Sequence, residues 1–309
     1  MTSPRSMLVT AAGAILVTAL CLALAIGTGA FQAAVRALAL ADASAWGECL
    51  ALMIAVSVLR YLRLQLALTG VAPLPAFNAS ALHGSASALA PGKLGELVLP
   101  VVVRRLTGAS FLAGTGLLVL FRVLDLVALL AAAVCAAALA GGAPGLVIPV
   151  VAAICVGPIA LRRLMALPAG RSGRLWSLLS EAAAIAAEIS PLRYYATFGL
   201  TLLIWFILWL AAFLAAAGAG LDASFAVAGL ALAAASAAFA SPVNGLANAG
   251  PFEAAFAGAY VAQGFALAPA LAAAILLHVC AAAAPILCLL FGGGAATLLR
   301  LRPKPGVVR

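Results

Sequence analysis

The stretch PGKLGELVLP, residues 91–100, places two prolines, two glycines, a lysine and a glutamate inside an otherwise apolar chain. A straight membrane-spanning helix is disfavoured there, because proline and glycine interrupt helices and charge is costly in hydrocarbon. Irregular backbone at membrane depth is tolerated only where it is buried in protein or lines a cavity. The stretch therefore predicts a broken helix that faces the protein interior and not lipid.

The composition of the chain indicates that its solvent is a lipid bilayer. Of its 309 residues, 67% are hydrophobic and 8% are charged, which is more apolar surface than a soluble core can bury. The net charge of +9 comes mostly from basic residues between apolar runs, which is an orientation signal of membrane proteins and not a nucleic-acid signal. We therefore expect membrane lipids as partners and no nucleic acid. The six cysteines form no C-x-x-C motif, so neither a metal site nor a disulfide framework is expected. We also expect no cofactor.

Apolar runs of the length that crosses a bilayer recur along the chain, and we predict about six transmembrane helices from them. These helices are placed near residues 7–29, 46–68, 110–140, 146–163, 194–217 and 269–298. Other segments are predicted as a loop at 30–48, an amphipathic surface helix within 166–192 and a basic tail at 299–309. The predicted fold class is an all-α polytopic membrane protein, with one integral membrane domain over residues 1–309.

Two regions, 73–107 and 224–265, are broken near their centres and are too short for two full spans and a turn. We predict that each is a re-entrant helical hairpin, which enters the membrane and returns to its own side. The predicted break residues are Pro91, Gly92 and Gly95 in the first hairpin and Pro242, Gly245, Gly250 and Pro251 in the second.

The hairpins give the two halves of the chain, 1–140 and 146–298, the same order of helix, helix, hairpin and helix. Because each half crosses the membrane an odd number of times, the second half is inverted relative to the first. Inverted repeats with paired broken helices are typical of secondary transporters, and the substrate site lies where the breaks meet. With a cytoplasmic N-terminus, every Lys and Arg except Arg36 and Arg122 falls on the cytoplasmic side, so both termini are predicted to be cytoplasmic.

The apolar helix predicted at 110–140 contains Arg122 and Asp125, which lie three residues apart and therefore on one helix face. A lone charge at the bilayer centre costs about 2.5–3.5 kcal/mol on insertion scales, so both side chains should face the interior of the bundle. Two interpretations remain open. The residues form a structural ion pair, or Arg122 binds a headgroup phosphate and Asp125 orients it.

Lys93 and Glu96 follow the first break at the same three-residue spacing. A helix that starts at the break would favour an anion near its N-terminus. Glu96 is either that anion or a partner of Arg122, in which case the N-terminus is left for a lipid phosphate. Both residues are candidates for the headgroup site.

The second break contributes Glu253, which follows Pro251, a residue type that suits a first helical turn. We expect Glu253 to meet a lipid headgroup or a basic residue of the first hairpin. Asn244 and Asn248 are expected to satisfy backbone groups that the break frees, and both are candidates for the headgroup site.

The remaining polar residues have simpler expected roles. His83 and His278 either form hydrogen bonds between packed helices or relay protons, and no carboxylate spacing around them predicts a metal site. Arg60 and Arg63 are predicted to anchor their helix by extending their charged ends to the membrane surface.

Three stretches carry a resemblance to a known family: PGKLGELVLPVVVRR (91–105), FRVLDLVAL (121–129) and SPVNGLANAGPFEAA (241–255). In this order and spacing they resemble the transmembrane family of lysylphosphatidylglycerol synthase, whose members are also described as flippase-like. The family includes the N-terminal half of the bacterial aminoacyl-phospholipid synthase and flippase, and stand-alone proteins associated with hopanoid biosynthesis. We expect a stand-alone member, because little sequence follows the last predicted helix and the soluble transferase domain would not fit there.

The resemblance and the predicted topology together favour a transporter that moves a lipid with a polar or anionic headgroup across the bacterial inner membrane. We expect no enzymatic activity, although a membrane-embedded enzyme that modifies lipids remains an alternative. A scaffold for lipid-biosynthesis enzymes that transports nothing is the other alternative. Protein partners remain open between a second copy of the chain and enzymes of lipid biosynthesis.

Overall fold

The computed structural model describes residues 29–41, 43–165, 174–240 and 249–294, with isolated positions before residue 28. Every regular element in these ranges is a helix, which confirms the predicted all-α fold class for them. The predicted basic tail, most of the predicted first helix at 7–29 and the N-terminal part of the segment 166–192 lie outside the described residues.

The helices are numbered in chain order. The first group is α1 (Ala30–Leu40), α2 (Ala43–Ala67), α3 (Pro73–Leu89), the 3-10 segment (Pro91–Leu97), α4 (Val98–Thr107) and α5 (Phe111–Ala140). A short 3-10 turn (Pro144–Leu146) leads to the second group, which is α6 (Val147–Met165), α7 (Arg174–Glu188), α8 (Pro191–Gly218), α9 (Phe225–Ala240), α10 (Pro251–Ala262) and α11 (Leu267–Phe291).

Four helices of the described part are long and apolar enough to cross a membrane: α2, α5, α8 and α11. They lie where the sequence predicts spans at 46–68, 110–140, 194–217 and 269–298. The helix α6 occupies the position of the span predicted at 146–163, although the apolar stretch there, Pro144–Ile154, is shorter than a membrane span and begins in the preceding 3-10 turn. The chain is therefore polytopic, and the total of about six spans stays a prediction.

The predicted loop at 30–48 is wrong, because α1 and the first turns of α2 occupy it. The segment AFQAAVRALAL of α1 is rich in alanine and leucine, which favour helices. Its Ala34 is fully buried, and the helix packs against α11. Arg36 lies on the exposed side of α1, so a single charge in this segment is compatible with helix packing.

The centre of the bundle is built from α2, α8 and α11. The most extensive contact between described helices is that of α2 with α8, and α11 packs against both. The buried side chains of α8 are small at this interface, as Ala211, Ala212 and Ala215 show. Small residues allow membrane helices to approach closely, and this replaces the hydrophobic driving force that lipid does not supply.

The first broken region consists of α3, the 3-10 segment and α4, and the 3-10 segment begins at Pro91. The 3-10 segment folds back against α3, and α3 also contacts α4. Gly95 lies so close to the backbone of Ala86 that a Cβ atom there would overlap with its carbonyl group. Glycine is therefore required at this point of the break. That the region forms a re-entrant hairpin remains a prediction.

The second broken region consists of α9 and α10, which pack against each other on either side of residues 241–248. These residues lie outside the described part of the chain and include the predicted break positions Pro242 and Gly245. Gly250 precedes α10 with φ of 102°, a backbone conformation that favours glycine, and Pro251 is the first residue of α10.

Glycines of α5 allow two neighbouring helices to pack directly on its N-terminal half. A Cβ atom at Gly114 would lie 2.7 Å from the Cα atom of Pro100 in α4, and one at Gly116 would lie 2.8 Å from Cγ of Glu181 in α7. The helix α7 lies within the predicted surface segment, and its Ala182 and Ala186 are buried where it packs on α5. The amphipathic pattern of α7 is therefore explained by a helix whose apolar face packs on the bundle.

We expect Gly114→Ala to lower the stability of the protein by about 1–3 kcal/mol, because the added methyl group meets the backbone of Pro100, which cannot move away freely. The matched control is Gly199→Ala in α8, where a Cβ atom would have no neighbour within 4 Å. The measurement is the midpoint of thermal unfolding in one detergent. Equal midpoints for the two variants would contradict the close packing of α4 on α5.

Candidate functional site

A cluster of charged side chains lies inside the first half of the chain, where α2, α5 and the 3-10 segment meet. Its members are Arg63 of α2, Glu96 of the 3-10 segment, and Arg122 and Asp125 of α5. Three of these four are residues that the sequence predicts as candidates for a headgroup site. We call these four residues the charge cluster.

Asp125 and Arg63 form the most buried ion pair of the charge cluster. Nη1 of Arg63 donates to Oδ1 of Asp125 at 2.5 Å, and Nη2 donates to Oδ2 at 3.5 Å, so the guanidinium meets both carboxylate oxygens. Nη1 also donates to Oγ1 of Thr201 in α8 at 3.2 Å, and the guanidinium lies 4.5 Å from the ring centre of Phe121. Such fork-shaped contacts give geometric specificity as well as energy.

The predicted role of Arg63 as a surface anchor is wrong, because its side chain is only 8% exposed and points into the bundle. The physical reason is the carboxylate of Asp125. A buried carboxylate is very costly without a cation nearby, and Arg63 supplies that cation from the neighbouring helix.

Arg122 connects the two carboxylates of the charge cluster. Its Nη1 lies 3.5 Å from Oδ2 of Asp125, as the three-residue spacing predicts, and its Nη2 donates to Oε1 of Glu96. The contact with Glu96 is one of the two alternatives left open by the sequence. The side chain of Arg122 is 50% exposed, whereas those of its two carboxylate partners are largely buried.

Arg60 adds a further positive charge beside the charge cluster. It is exposed, lies one turn before Arg63 on α2, and interacts electrostatically with Asp125, Arg122 and Glu96. No carboxylate of the described residues lies within ion-pairing distance of it. Three arginines therefore face two carboxylates, and the region carries an excess of positive charge.

His83 of α3 lies on the other side of Glu96. Its Nε2 atom is 3.9 Å from Oε2 of Glu96, and its Nδ1 atom is 3.5 Å from the hydroxyl of Ser87. The histidine thus contacts a carboxylate that the sequence spacing did not reveal, because α3 and the 3-10 segment come together only when the chain folds back at Pro91.

Glu253, after the second break, contacts residues of its own half of the chain. One carboxylate oxygen accepts a hydrogen bond from the backbone N–H of Gly250 at 2.7 Å, which caps the start of α10. The other oxygen contacts Nδ1 of His278 in α11. The basic partner is therefore a histidine of α11, and a basic residue of the first hairpin is not among the described contacts. A role in headgroup binding stays a prediction.

Five other residues of the predicted site are described only in part or not at all. The backbone of Pro91, Gly92 and Lys93 lies in the 3-10 segment, but their side chains are outside what the structure describes. Asn244 and Asn248 lie outside the described residues altogether. Among the described residues no group of three or more His, Cys, Asp or Glu side chains could hold a metal ion.

A half-open cavity of about 600 Å³ lies at a different place, between the end of α2, the start of α5 and the junction of α7 with α8. Its lining is mostly apolar, with Leu68, Leu117 and Ile185, and it includes Glu188 and Arg193. It includes no member of the charge cluster, so the cavity predicted between the two breaks is not this one.

The comparison with protein families identifies the chain. The family model for the transmembrane region of lysylphosphatidylglycerol synthase matches residues 11–288. The chain belongs to the lysylphosphatidylglycerol synthase transmembrane family. The match includes both broken regions and every member of the charge cluster. Comparisons with curated proteins and with solved structures gave no significant match.

Family membership indicates a membrane protein of lipid metabolism or lipid transport. The sequence did not predict two residues of this site, Arg63 and Thr201. It also did not predict the histidine contacts of Glu96 and Glu253. The sequence did contain a signal for Arg63. If Arg122 pairs with Glu96, Asp125 needs another cation, because it lies inside an apolar helix. No sequence signal identified Thr201.

We expect Arg63→Met and Asp125→Leu each to lower the stability of the protein by about 3–5 kcal/mol, because each leaves the opposite charge buried without its main partner. The double variant should be less destabilised than the sum of the two, since neither charge is then left behind. Thermal unfolding in detergent measures all three variants.

The control for these variants is Arg36→Met, which removes an exposed arginine of α1 and should change stability little. Additive losses in the double variant would show that the ion pair between Arg63 and Asp125 does not form in the folded protein.

Proposed function

We propose that this family member transports a lipid with an anionic headgroup between the leaflets of the bacterial inner membrane, with both termini in the cytoplasm. Family membership supports a role in lipid metabolism or transport. The observation that carries the finer proposal is the half-exposed guanidinium of Arg122, which is located well inside the long apolar helix α5.

A guanidinium at this position is costly, since a charge near the bilayer centre requires about 2.5–3.5 kcal/mol on insertion scales. An arginine that served only as a structural partner of Glu96 and Asp125 would be expected to be buried, as Arg63 is. Half of the Arg122 side chain is accessible from outside the protein, and its guanidinium carries several N–H donors. These donors suit the oxygens of a phosphate, which a guanidinium binds through two parallel hydrogen bonds.

The charge balance favours an anionic ligand. Arg60, Arg63 and Arg122 outnumber Glu96 and Asp125 by one positive charge. A phosphodiester with one negative charge would balance this excess and reduce the cost of keeping the arginines in an apolar environment. A neutral or cationic headgroup would not balance it.

The mechanism follows from the location of the cluster beside the first break. A polar headgroup that crosses hydrocarbon alone loses its hydrogen bonds with water, which is the main barrier to unassisted movement between leaflets. Arg122 and Arg60 would replace part of that hydration while the acyl or polycyclic tails remain in lipid. The lipid itself is chemically unchanged, and we therefore propose no enzymatic activity.

The test is a dithionite-quenching assay in proteoliposomes that contain fluorescent phosphatidylglycerol, phosphatidylethanolamine or phosphatidylcholine. We expect the wild-type protein to expose inner-leaflet phosphatidylglycerol to the quencher faster than the other two lipids. Arg122→Gln should slow this movement by roughly tenfold or more, because a hydrogen bond to a charged group is worth about 1.5–3 kcal/mol.

Arg36→Gln is the matched control, because it removes an exposed arginine outside the charge cluster and should leave the rate unchanged. Movement that is equal for all three lipids, or equal in the wild type and Arg122→Gln, would contradict headgroup binding by Arg122. If folded wild-type protein moves none of the lipids, the transport proposal fails and a lipid-modifying enzyme or a scaffold gains support.

A further inference from the structure

Two groups of different chemistry are among the neighbours of Glu96. One carboxylate oxygen accepts a hydrogen bond from the guanidinium of Arg122, and the other lies 3.9 Å from Nε2 of His83. The guanidinium is permanently charged, whereas an imidazole gains or loses a proton near neutral pH when its surroundings do not prevent it. Glu96 is therefore the point at which the proposed headgroup site meets a group that can exchange protons.

The two carboxylates of the charge cluster differ in how they depend on Arg122. Asp125 is bound by both Nη atoms of Arg63, and this contact does not involve Arg122. If a phosphate takes the guanidinium of Arg122, Asp125 keeps the cation that neutralises it. Glu96 instead loses the hydrogen bond from Arg122 and has a new anion as a neighbour, which raises the cost of its negative charge.

We propose that binding of the headgroup phosphate to Arg122 is linked to uptake of a proton by the Glu96–His83 pair, so that lipid and proton move together. This inference rests on the proposed function. It goes beyond that function by naming a proton gradient as the energy source, whereas the proposal above concerns only which lipid moves and which residue binds it.

The step involves one proton and no change in the covalent structure of the lipid. The hydrogen bond from Nη2 of Arg122 to Oε1 of Glu96 breaks, and the phosphate oxygens accept hydrogen bonds from Arg122 in its place. A proton from water binds to the Glu96 carboxylate or to the neighbouring ring nitrogen of His83. When the headgroup leaves, the proton returns to water and Glu96 forms its ion pair with Arg122 again.

The charged groups around the Glu96–His83 pair determine how readily it takes up a proton. Among the side chains that the structure describes, the charged groups that interact with His83 are Glu96, Arg122 and Arg60. The two cations oppose a proton on the imidazole, and the carboxylate favours it. α11 also packs against α3 and carries no charged side chain other than His278. α4, which contacts both α3 and the 3-10 segment, has its two arginines in its last turn, at the end remote from Glu96.

The experiment is isothermal titration of the detergent-solubilised full chain with dihexanoyl phosphatidylglycerol, a short-chain probe used below the concentration at which it forms micelles. Each titration is performed in two buffers of equal pH and different ionisation enthalpy. The difference in heat gives the number of protons taken up per bound lipid. For the wild type we expect uptake of about one proton, and by reciprocity a higher probe affinity at lower pH.

Glu96→Gln is the decisive variant, because glutamine keeps a similar shape but cannot bind a proton in this range. It should bind the probe at least as tightly as the wild type, since Arg122 is no longer held by a charge, and proton uptake should fall towards zero. The matched control is Asp222→Asn, which removes an exposed carboxylate in the loop before α9 and should leave proton uptake unchanged.

The wild-type titration alone can overturn the inference. Probe binding with equal heats in the two buffers would mean that no proton is taken up, and the lipid-transport proposal would then stand without proton linkage. Proton uptake that persists in Glu96→Gln would also contradict the role of the Glu96–His83 pair. If the wild type binds no probe, the headgroup site itself is contradicted, and the linkage fails with it.

Discussion

The carboxylate of Asp125 determines how the interior of the first half is arranged. In a medium that solvates charge poorly, this group must have cations close by, and two arginines from different directions meet it. Arg63 approaches from α2 and Arg122 from the preceding turn of the same helix. Because Arg122 also binds Glu96, the carboxylate fixes the 3-10 segment indirectly, and with it the break at Pro91.

Close packing at small residues makes this ionic network possible. The 3-10 segment reaches α3 only because Gly95 has no side chain, and α4 reaches α5 at Gly114 for the same reason. Further along, a Cβ atom at Gly84 would lie 2.9 Å from Cβ of Pro285, so α3 also meets α11 closely. The many alanines and glycines of the sequence therefore have a specific effect, since they bring the helices near enough for short polar contacts to form between them.

The sequence predicts some of these features well and others poorly, and the difference is physical. Long apolar runs fix α2, α5, α8 and α11, and three-residue spacing places Arg122 beside Asp125, because both signals are local. The ion pair of Arg63 and Asp125 joins residues 62 positions apart, and no local pattern reports such a contact. The helix at 30–40 was missed for a related reason. A segment of alanines with one arginine can be a helix or a loop, and only its packing against α11 decides between the two. The paths of the two broken regions through the membrane remain predictions.

The hydrogen bond from Arg63 to Thr201 joins the two halves of the chain inside the bundle. Arg63 belongs to the first half of the chain and Thr201 to the second, and their helices α2 and α8 form the most extensive contact between described helices. A motion that separated the two halves as rigid blocks would have to break this bond and divide that interface. A motion confined to the broken regions would leave both intact. For the proposed lipid transport, movement of the broken regions against a stationary α2–α8 interface would therefore break fewer described contacts than rocking of one half against the other.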